Sequence, residues 1–76
     1  MRRLSPGSPE PLGLTLHPGG ANVAVFSAHA QSIELCLFDA AGEAELERIA
    51  LPERTGDIFH GFVHGLEAGM RYGLRA

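Results

Sequence analysis

The chain has 76 residues, of which nine are acidic and six basic, and its formal net charge is −3 at pH 7. A chain of this length forms one small domain and buries only roughly 60% of the surface that it exposes when unfolded. Its basic residues are too scattered for nucleic-acid binding, and no apolar run approaches the roughly 20 residues of a membrane span. We therefore expect a soluble protein that binds neither nucleic acid nor membrane.

The single cysteine, Cys36, cannot form a disulfide within the chain. One lone thiol is typical of a protein in a reducing compartment. Residues 5–9, Ser-Pro-Gly-Ser-Pro, stand where the apolar part of a signal peptide would lie. These observations predict a cytoplasmic protein. Because Cys36 lies inside an apolar strand pattern, we interpret it as a small buried side chain rather than as a reactive thiol.

Residues 1–9 are rich in serine, proline and glycine, which predicts a flexible lead-in to a domain that spans residues 10–76. Leucine alternates with glycine or threonine over residues 12–16, which indicates a short strand at a sheet edge. The sequence His-Pro-Gly-Gly at 17–20 then predicts a turn.

Two apolar runs at residues 21–27 and 33–39 are joined by a small, polar link, for which an antiparallel pair is the simplest arrangement. Side chains alternate across a strand with a period of two. This period assigns one face to the core: Val23, Val25, Ile33, Leu35 and Leu37. The opposite face is too apolar for a solvated surface, so we predict that it is an interface: Ala24, Phe26, Cys36 and Phe38.

Residues 45–51 combine good helix formers with a helical spacing of apolar positions, so both a helix and a strand fit this segment. We favour a strand, because tight turns and strands flank it and an isolated two-turn helix is marginal. Residues 58–63 and 70–75 follow the strand pattern, with a glycine-containing turn between them. Five to seven short strands at this spacing predict an all-β, antiparallel β-sandwich.

The four histidines do not form a metal-binding pattern. His60 and His64 are four residues apart, which on a strand separates them by about 13 Å, too far to share one ion. His17 and His29 lie in predicted turns with no second ligand nearby in the sequence. The acidic residues are also dispersed, so no pair suited to glycoside hydrolysis is expected. We predict no metal site, no cofactor and no catalytic residue in this chain.

Several stretches together resemble the amino-terminal domain of bacterial glycogen debranching enzymes of the isoamylase type: residues 11–13, 22–30, 33–39, 51–62 and 65–75. The resemblance implies an immunoglobulin-like β-sandwich of the carbohydrate-binding module family forty-eight type. In that family the sandwich precedes a (β/α)₈ barrel that hydrolyses α-1,6-glucosidic branch points. The aspartate nucleophile and glutamate acid belong to that barrel, and no residue here matches them. Phe59 stands where relatives commonly have tryptophan.

The resemblance makes the catalytic barrel of a parent chain the expected partner of the apolar face. Without a barrel, that face would stay partly exposed or pair with a second copy. Sugar contact is expected to be weak because the chain has no tryptophan, and its candidate platforms are Phe59, Phe62 and Tyr72. The last strand pattern runs to Ala76, which predicts a fragment of a longer protein. The alternative is a self-standing sandwich that binds glucan or protein, and a reading frame that continues past Ala76 would exclude it.

Overall fold

The structure is a computed structural model, and it describes residues 3–39, 41–66 and 69–76. Over these ranges the chain forms eight β-strands: β1 (Leu4–Ser5), β2 (Gly13–His17), β3 (Gly20–Phe26), β4 (Glu34–Phe38), β5 (Glu45–Ala50), β6 (Glu53–Thr55), β7 (Ile58–His64) and β8 (Arg71–Arg75). No helix long and apolar enough to cross a membrane occurs within these ranges.

The strands form two antiparallel sheets. A five-stranded sheet has the order β1-β7-β3-β2, with β6 also paired to β7, and a three-stranded sheet has the order β5-β4-β8. The apolar face of each sheet packs against that of the other. The all-β, antiparallel sandwich that the strand pattern predicts is therefore confirmed.

The predicted pairing of the two central strands is wrong. β3 pairs with β2 and β7, whereas β4 pairs with β5 and β8 in the other sheet. The link at residues 27–33 crosses from one sheet to the other. A hairpin would place both apolar faces on the same side of one sheet and leave them exposed. Crossing instead lets Val23 and Leu35 approach from opposite sheets, so that each face buries the other.

The core lies between the sheets, and its assignment from the strand period is confirmed. Its buried members are Ala21, Val23, Ile33, Leu35, Leu37, Ile49, Leu51, Phe59, Val63 and Leu66. Val25 is partly buried and packs against this cluster. Inward positions of β3 and β7 meet in register, as Val23 does with Gly61 and Val25 with Phe59.

The ambiguous segment is a strand, as favoured. β5 (Glu45–Ala50) pairs along β4, with an irregularity in register between Leu37 and Phe38. Ile49 and Leu51 face the core, while Leu46 is exposed. Burial thus alternates with a period of two, because pairing with β4 satisfies the backbone hydrogen bonds that a short isolated helix would otherwise have to make.

Residues 3–9 differ from the expectation of a flexible lead-in. Leu4 and Ser5 pair with Val63 and Phe62 of β7, and the Leu4 side chain packs against the core. An unpaired β7 edge would leave backbone N–H and C=O groups without protein partners, and β1 supplies them. Residues 1 and 2 lie outside the described ranges.

After β1 the chain crosses the outer face of the five-stranded sheet from β7 to β2, and we call residues 6–12 the strap. The buried Asn22 side chain holds it. The Ser8 N–H donates to Asn22 Oδ1 at 2.7 Å, and Asn22 Nδ2 donates to the Ser8 carbonyl at 2.9 Å. His60 Nδ1 donates to the Pro6 carbonyl at 2.7 Å. At Gly7, whose φ is +67°, an added Cβ would lie 2.6 Å from Asn22 Oδ1, so only glycine fits.

Truncation of an inner side chain of β3 or β4 should lower the free energy of unfolding much more than truncation of an outer one. Leu35 is fully buried, so Leu35→Ala should lower the free energy of unfolding by about 2–5 kcal/mol. Phe26 is 61% exposed, so Phe26→Ser should lower it by about 0.5 kcal/mol or less. Denaturant unfolding of both variants measures the difference. Equal destabilisation would mean that the inner and outer faces are assigned wrongly.

The strap should depend on the Asn22 amide. Asn22→Ala leaves two backbone groups of Ser8 without their partner and should cost about 1–3 kcal/mol of stability. It should also accelerate hydrogen exchange of the Ser8 amide. The matched control is Ser8→Ala, which removes only a hydroxyl that accepts from Glu10 N–H and keeps both bonds to Asn22. A strap amide that exchanges equally fast in both variants would contradict this role.

Candidate functional site

A trough of about 520 Å³ lies on the outer face of the five-stranded sheet, between the strap and the turn that joins β2 to β3. Thr15 and Asn22, which are opposite each other in the β2–β3 register, contribute to its lining. The remaining lining residues come from the strap, the end of β2, the turn and β7: Gly7, Ser8, Glu10, Pro11, His17, Pro18 and Phe62. A continuous stretch, residues 7–22, and one residue of the distant strand β7 therefore build one concavity.

The Phe62 ring forms the aromatic part of this trough and is partly exposed. Its centroid lies 5.9 Å from that of the His17 ring and 4.9 Å from that of His64, which meets it edge-on at 70°. His64 Nε2 is in turn 2.8 Å from the Ser5 hydroxyl. An added Cβ at Gly20 would lie 2.8 Å from Phe62 Cε1, so the ring occupies the space that a side chain there would fill. These contacts hold the ring in one position.

The polar groups of the trough are suited to a neutral ligand. Thr15 supplies a hydroxyl, His17 an imidazole and Glu10 a carboxylate. Within the described part of the chain, neither the Thr15 hydroxyl nor the Glu10 carboxylate makes a hydrogen bond. The described lining residues include no lysine or arginine, so the trough offers no cation for a phosphate or a carboxylate ligand.

The histidines of β7 are engaged in holding the fold. His60 is buried, and its Nε2 lies 2.7 Å from the Thr55 hydroxyl while its Nδ1 bonds the strap. His64 Nε2 contacts Ser5. Across residues 3–39, 41–66 and 69–76 no three side chains of His, Cys, Asp or Glu are grouped so that they could hold a metal ion.

The outer face of the three-stranded sheet has a different character. Cys36 is only 4% exposed, and Glu45 beside it forms an ion pair with Arg48 at 3.0 Å. Burial raises the pKa of the Cys36 thiol, and the Glu45 carboxylate raises that pKa further. The thiol therefore stays neutral at pH 7, and Cys36 is buried as interpreted. The Phe38 ring lies over Gly73, with Cε2 3.4 Å from the position of an added Cβ.

The residues predicted to form one apolar interface are divided between two surfaces. Ala24 and Phe26 lie on the outer face of the five-stranded sheet, and Cys36 and Phe38 on that of the three-stranded sheet. These faces point in opposite directions, because β3 and β4 belong to different layers. Ala24 is 1% exposed and lies opposite His60, which bonds the strap. A single contiguous interface of these four residues is therefore wrong.

The three candidate sugar platforms also separate. Phe59 is 4% exposed within the core, with the Arg54 guanidinium 4.8 Å from its centroid, so it cannot stack on a sugar. Tyr72 is half exposed at a sandwich edge, and Phe62 lies in the trough. Sequence reasoning missed Thr15 and Glu10. The alternation of β2 places the Thr15 side chain on the other face of the strand from Leu14 and Leu16. It could not show that β7 lies near that face.

The second concavity is apolar and lies where the edges of β2 and β8 leave the core uncovered. Its volume is about 190 Å³, and its lining comes from both sheets and the loop before β8: Leu14, Leu16, Leu37, Leu66, Gly69, Met70 and Tyr72. We call this region the open edge. Leu16 and Tyr72 are each 49% exposed, and among the described strands β2 pairs only with β3 and β8 only with β4.

The chain matches the model of carbohydrate-binding module 48 (isoamylase N-terminal domain) over residues 11–76. It is 47% identical over 75 residues to the glycogen debranching enzyme of Klebsiella pneumoniae (strain 342). It is 51% identical over 75 residues to the glycogen debranching enzyme of Yersinia enterocolitica serotype O:8 / biotype 1B. Each match covers 99% of this chain but only 11% of the relative.

These matches confirm the resemblance drawn from residues 11–75 and agree with the immunoglobulin-like sandwich that it implies. The family model spans β2 to β8, which includes the open edge and the part of the trough that follows residue 10. The chain therefore belongs to the carbohydrate-binding module 48 (isoamylase N-terminal domain) family.

Proposed function

We propose that this chain is the non-catalytic, amino-terminal accessory domain of a glycogen debranching enzyme. The observation that carries the proposal is the match of residues 11–76 to the isoamylase N-terminal domain, together with 47–51% identity to enzymes of that name. In such an enzyme a (β/α)₈ barrel, which the resemblance implies, hydrolyses the α-1,6-glucosidic branch linkages. The sandwich docks on this barrel and helps to position the glucan. Its cytoplasmic location stays a prediction.

The acidic residues support an accessory role. Retaining glycosidases hold two carboxyl groups about 5–5.5 Å apart, and one of them has a raised pKa. Here Glu45 pairs with Arg48, which lowers the pKa of Glu45. The Glu43 N–H donates to the Asp39 carboxylate at 2.9 Å and lowers the pKa of Asp39. Both shifts are opposite to the one that a general acid needs.

The open edge is the surface that best fits docking. It is apolar and concave, and it exposes Leu16 and Tyr72 by about half each. Exposed apolar surface of this kind commonly marks an interaction site. Because the chain corresponds to 11% of the matched enzymes, a large remainder of such a protein is available to cover it. Phe26 and Phe38 lie on opposite outer faces and line neither the open edge nor the trough. Self-association of the chain stays a prediction.

The chain alone should hydrolyse no glycosidic bond, because its acidic residues are dispersed along the sequence and the pKa values of Asp39 and Glu45 are lowered. The measurement is the release of reducing ends from glycogen and from limit dextrin by the purified chain. A debranching enzyme at the same molar concentration is the positive control. Release above the buffer blank that persists through repurification would show that the chain is itself an enzyme.

A chimera tests the accessory role directly. This chain would replace the matching region of the Yersinia enterocolitica enzyme, and the chimera should debranch limit dextrin. In the chimera, Leu16→Ser and Tyr72→Ser should each remove about 1–2 kcal/mol of docking free energy, because half-exposed apolar surface would no longer be buried. The measurement is the midpoint temperature of thermal inactivation, which these two variants should lower.

Phe26→Ser in the same chimera is the matched control, because Phe26 is exposed but lies outside the open edge. The same three variants of the isolated chain measure the cost within the sandwich, which is subtracted. A chimera without activity would count against the accessory role. If Phe26→Ser lowered the midpoint while Leu16→Ser and Tyr72→Ser did not, docking would not occur through the open edge.

A further inference from the structure

We infer that β8 accepts an added β-strand, and that this strand is an extended, acidic segment from the rest of the parent enzyme. The source of the strand rests on the proposed function, whereas the capacity of β8 to accept a strand follows from the two sheets themselves. The inference specifies how the open edge is covered. Backbone pairing along β8 accompanies the burial of apolar side chains.

The two sheets differ in width. β1 and β6 pair with different parts of one edge of β7, because β3 occupies the other edge, so the larger sheet is four strands wide. Over the described residues the smaller sheet, β5-β4-β8, is three strands wide. Sheets that pack face to face bury each other's inner surface only where both are present. The groove lined by Leu14, Leu16 and Tyr72 shows that the larger sheet extends past the smaller one at β2, beyond β8.

The inward side chains of β8 confirm that the core is open on this side. Tyr72 meets Leu37 and Leu74 meets Leu35, and both partners on β4 are fully buried. Tyr72 and Leu74 are nevertheless about half exposed. Ile49 of β5 meets Leu35 from the other side and is buried. Because β5 and β8 are both edge strands, the difference shows that the core is uncovered beside β8 rather than beside β5.

β8 also offers backbone groups to a further strand. In an antiparallel pair the N–H and C=O groups of alternate residues point away from the partner strand. Among the described strands β8 pairs only with β4, so such groups within residues 72–75 point to the open side. The register with β4 is continuous and β8 contains no proline. A regular edge of this kind is a template for strand addition.

The groove sets the character of one face of the added strand. Side chains of that strand would point alternately into the groove and to the outer face. The groove has a volume of about 190 Å³ and is lined mainly by leucine, methionine and tyrosine. Apolar cavities of about 150 Å³ accept a benzene ring. The groove therefore has room for a large apolar side chain, and the inward residues of the strand are apolar.

Two arginines set the character of the other face. The register places Arg71 and Arg75 on the outer face of β8, and both are exposed. Opposite charges on neighbouring strands stabilise a sheet, and like charges directly opposite each other destabilise it. Acidic outward residues are therefore favoured. A second copy fits poorly, because antiparallel pairing of two β8 strands about Gly73 would place Arg71 beside Arg75 of the other copy.

The rest of the parent enzyme is the source of the strand that the matches favour. The chain corresponds to 11% of the matched enzymes, so most of such a protein lies outside it. A segment of the same polypeptide binds at a high effective concentration. Even a weak strand pair would then stay formed.

The first test does not depend on the enzyme. A short segment that alternates valine with glutamate is joined to Ala76 through a flexible glycine–serine linker, which gives an effective concentration on the order of millimolar. Amide hydrogen exchange at alternate residues within 72–75, followed by NMR, should be about three- to tenfold slower than in the chain with the linker alone. A segment that alternates valine with lysine is the matched control and should protect these amides less. No protection with either segment would overturn strand addition, and equal protection by both would overturn the preference for an acidic strand.

Substitution of Arg75 tests the charge from the side of this chain. With the glutamate segment attached, Arg75→Gln should reduce the protection about two- to threefold. Arg48→Gln is the matched control and should leave it unchanged, because Arg48 lies on β5, separated from β8 by β4. Equal effects of the two substitutions would also overturn the preference for an acidic strand.

The chimera with the Yersinia enterocolitica enzyme tests the source of the strand. Outward amides within residues 72–75 should exchange at least about tenfold more slowly in the chimera than in the isolated chain, whereas those of residues 14–16 on β2 should change less. If Leu16→Ser lowers the inactivation midpoint while β8 exchange is the same in both proteins, docking stands and strand addition by the enzyme is overturned. Protection at β2 instead of β8 would overturn it as well. A dimer of the isolated chain in sedimentation, with protected β8 amides, would make a second copy the occupant and overturn the enzyme as the source. An inactive chimera would count against the proposed function, and the linked segment would still decide whether β8 accepts a strand.

Discussion

The mutual burial of the apolar faces of β3 and β4 is the constraint on which the rest of this structure depends. Val23 lies in one sheet and Leu35 in the other, and both are almost fully buried between the layers. A chain of 76 residues has little apolar surface to spare, so each sheet must cover the other. The link at residues 27–33 makes this possible by crossing between the layers. Every outer surface of the domain follows from that crossing.

Because of this crossing, the outer face of the five-stranded sheet is not covered by the other sheet. The strap covers part of it, and hydrogen bonds hold the strap there. The strap lies across it and is held by buried groups whose hydrogen bonds are satisfied, with Asn22 bonded to Ser8 and His60 to Pro6 and Thr55. No buried side-chain nitrogen or oxygen among the described residues lacks a partner. A satisfied buried network of this kind favours one arrangement of the strap over others. The strap, fixed in this way, forms one wall of the trough.

β2 contributes side chains to both the trough and the open edge. As an edge strand it carries side chains to both sides of its sheet, and its outer neighbour positions are open in the described structure. Leu14 and Leu16 therefore reach the uncovered end of the core, while Thr15 and His17 face the trough. The family match includes this strand.

The sequence by itself determined the all-β class, the core members of β3 and β4 and the family, because alternation with a period of two and a run of linked motifs are local properties of the chain. It favoured a strand for residues 45–51 but left a helix open, and pairing with β4 decided for the strand. From the sequence, Phe59 and Phe62 were both candidate sugar platforms, although they are three residues apart and so lie on opposite faces of a strand. The sequence could not decide which of these faces is inner, because that depends on the register with β3, in which Phe59 meets Val25 and Phe62 meets Asn22. Pairing partners, the path of the strap and the division of the four predicted interface residues were decided only by the tertiary structure. The physical reason is that periodicity identifies side chains that share a face of one strand but carries no information about which strand, distant in sequence, lies beside it.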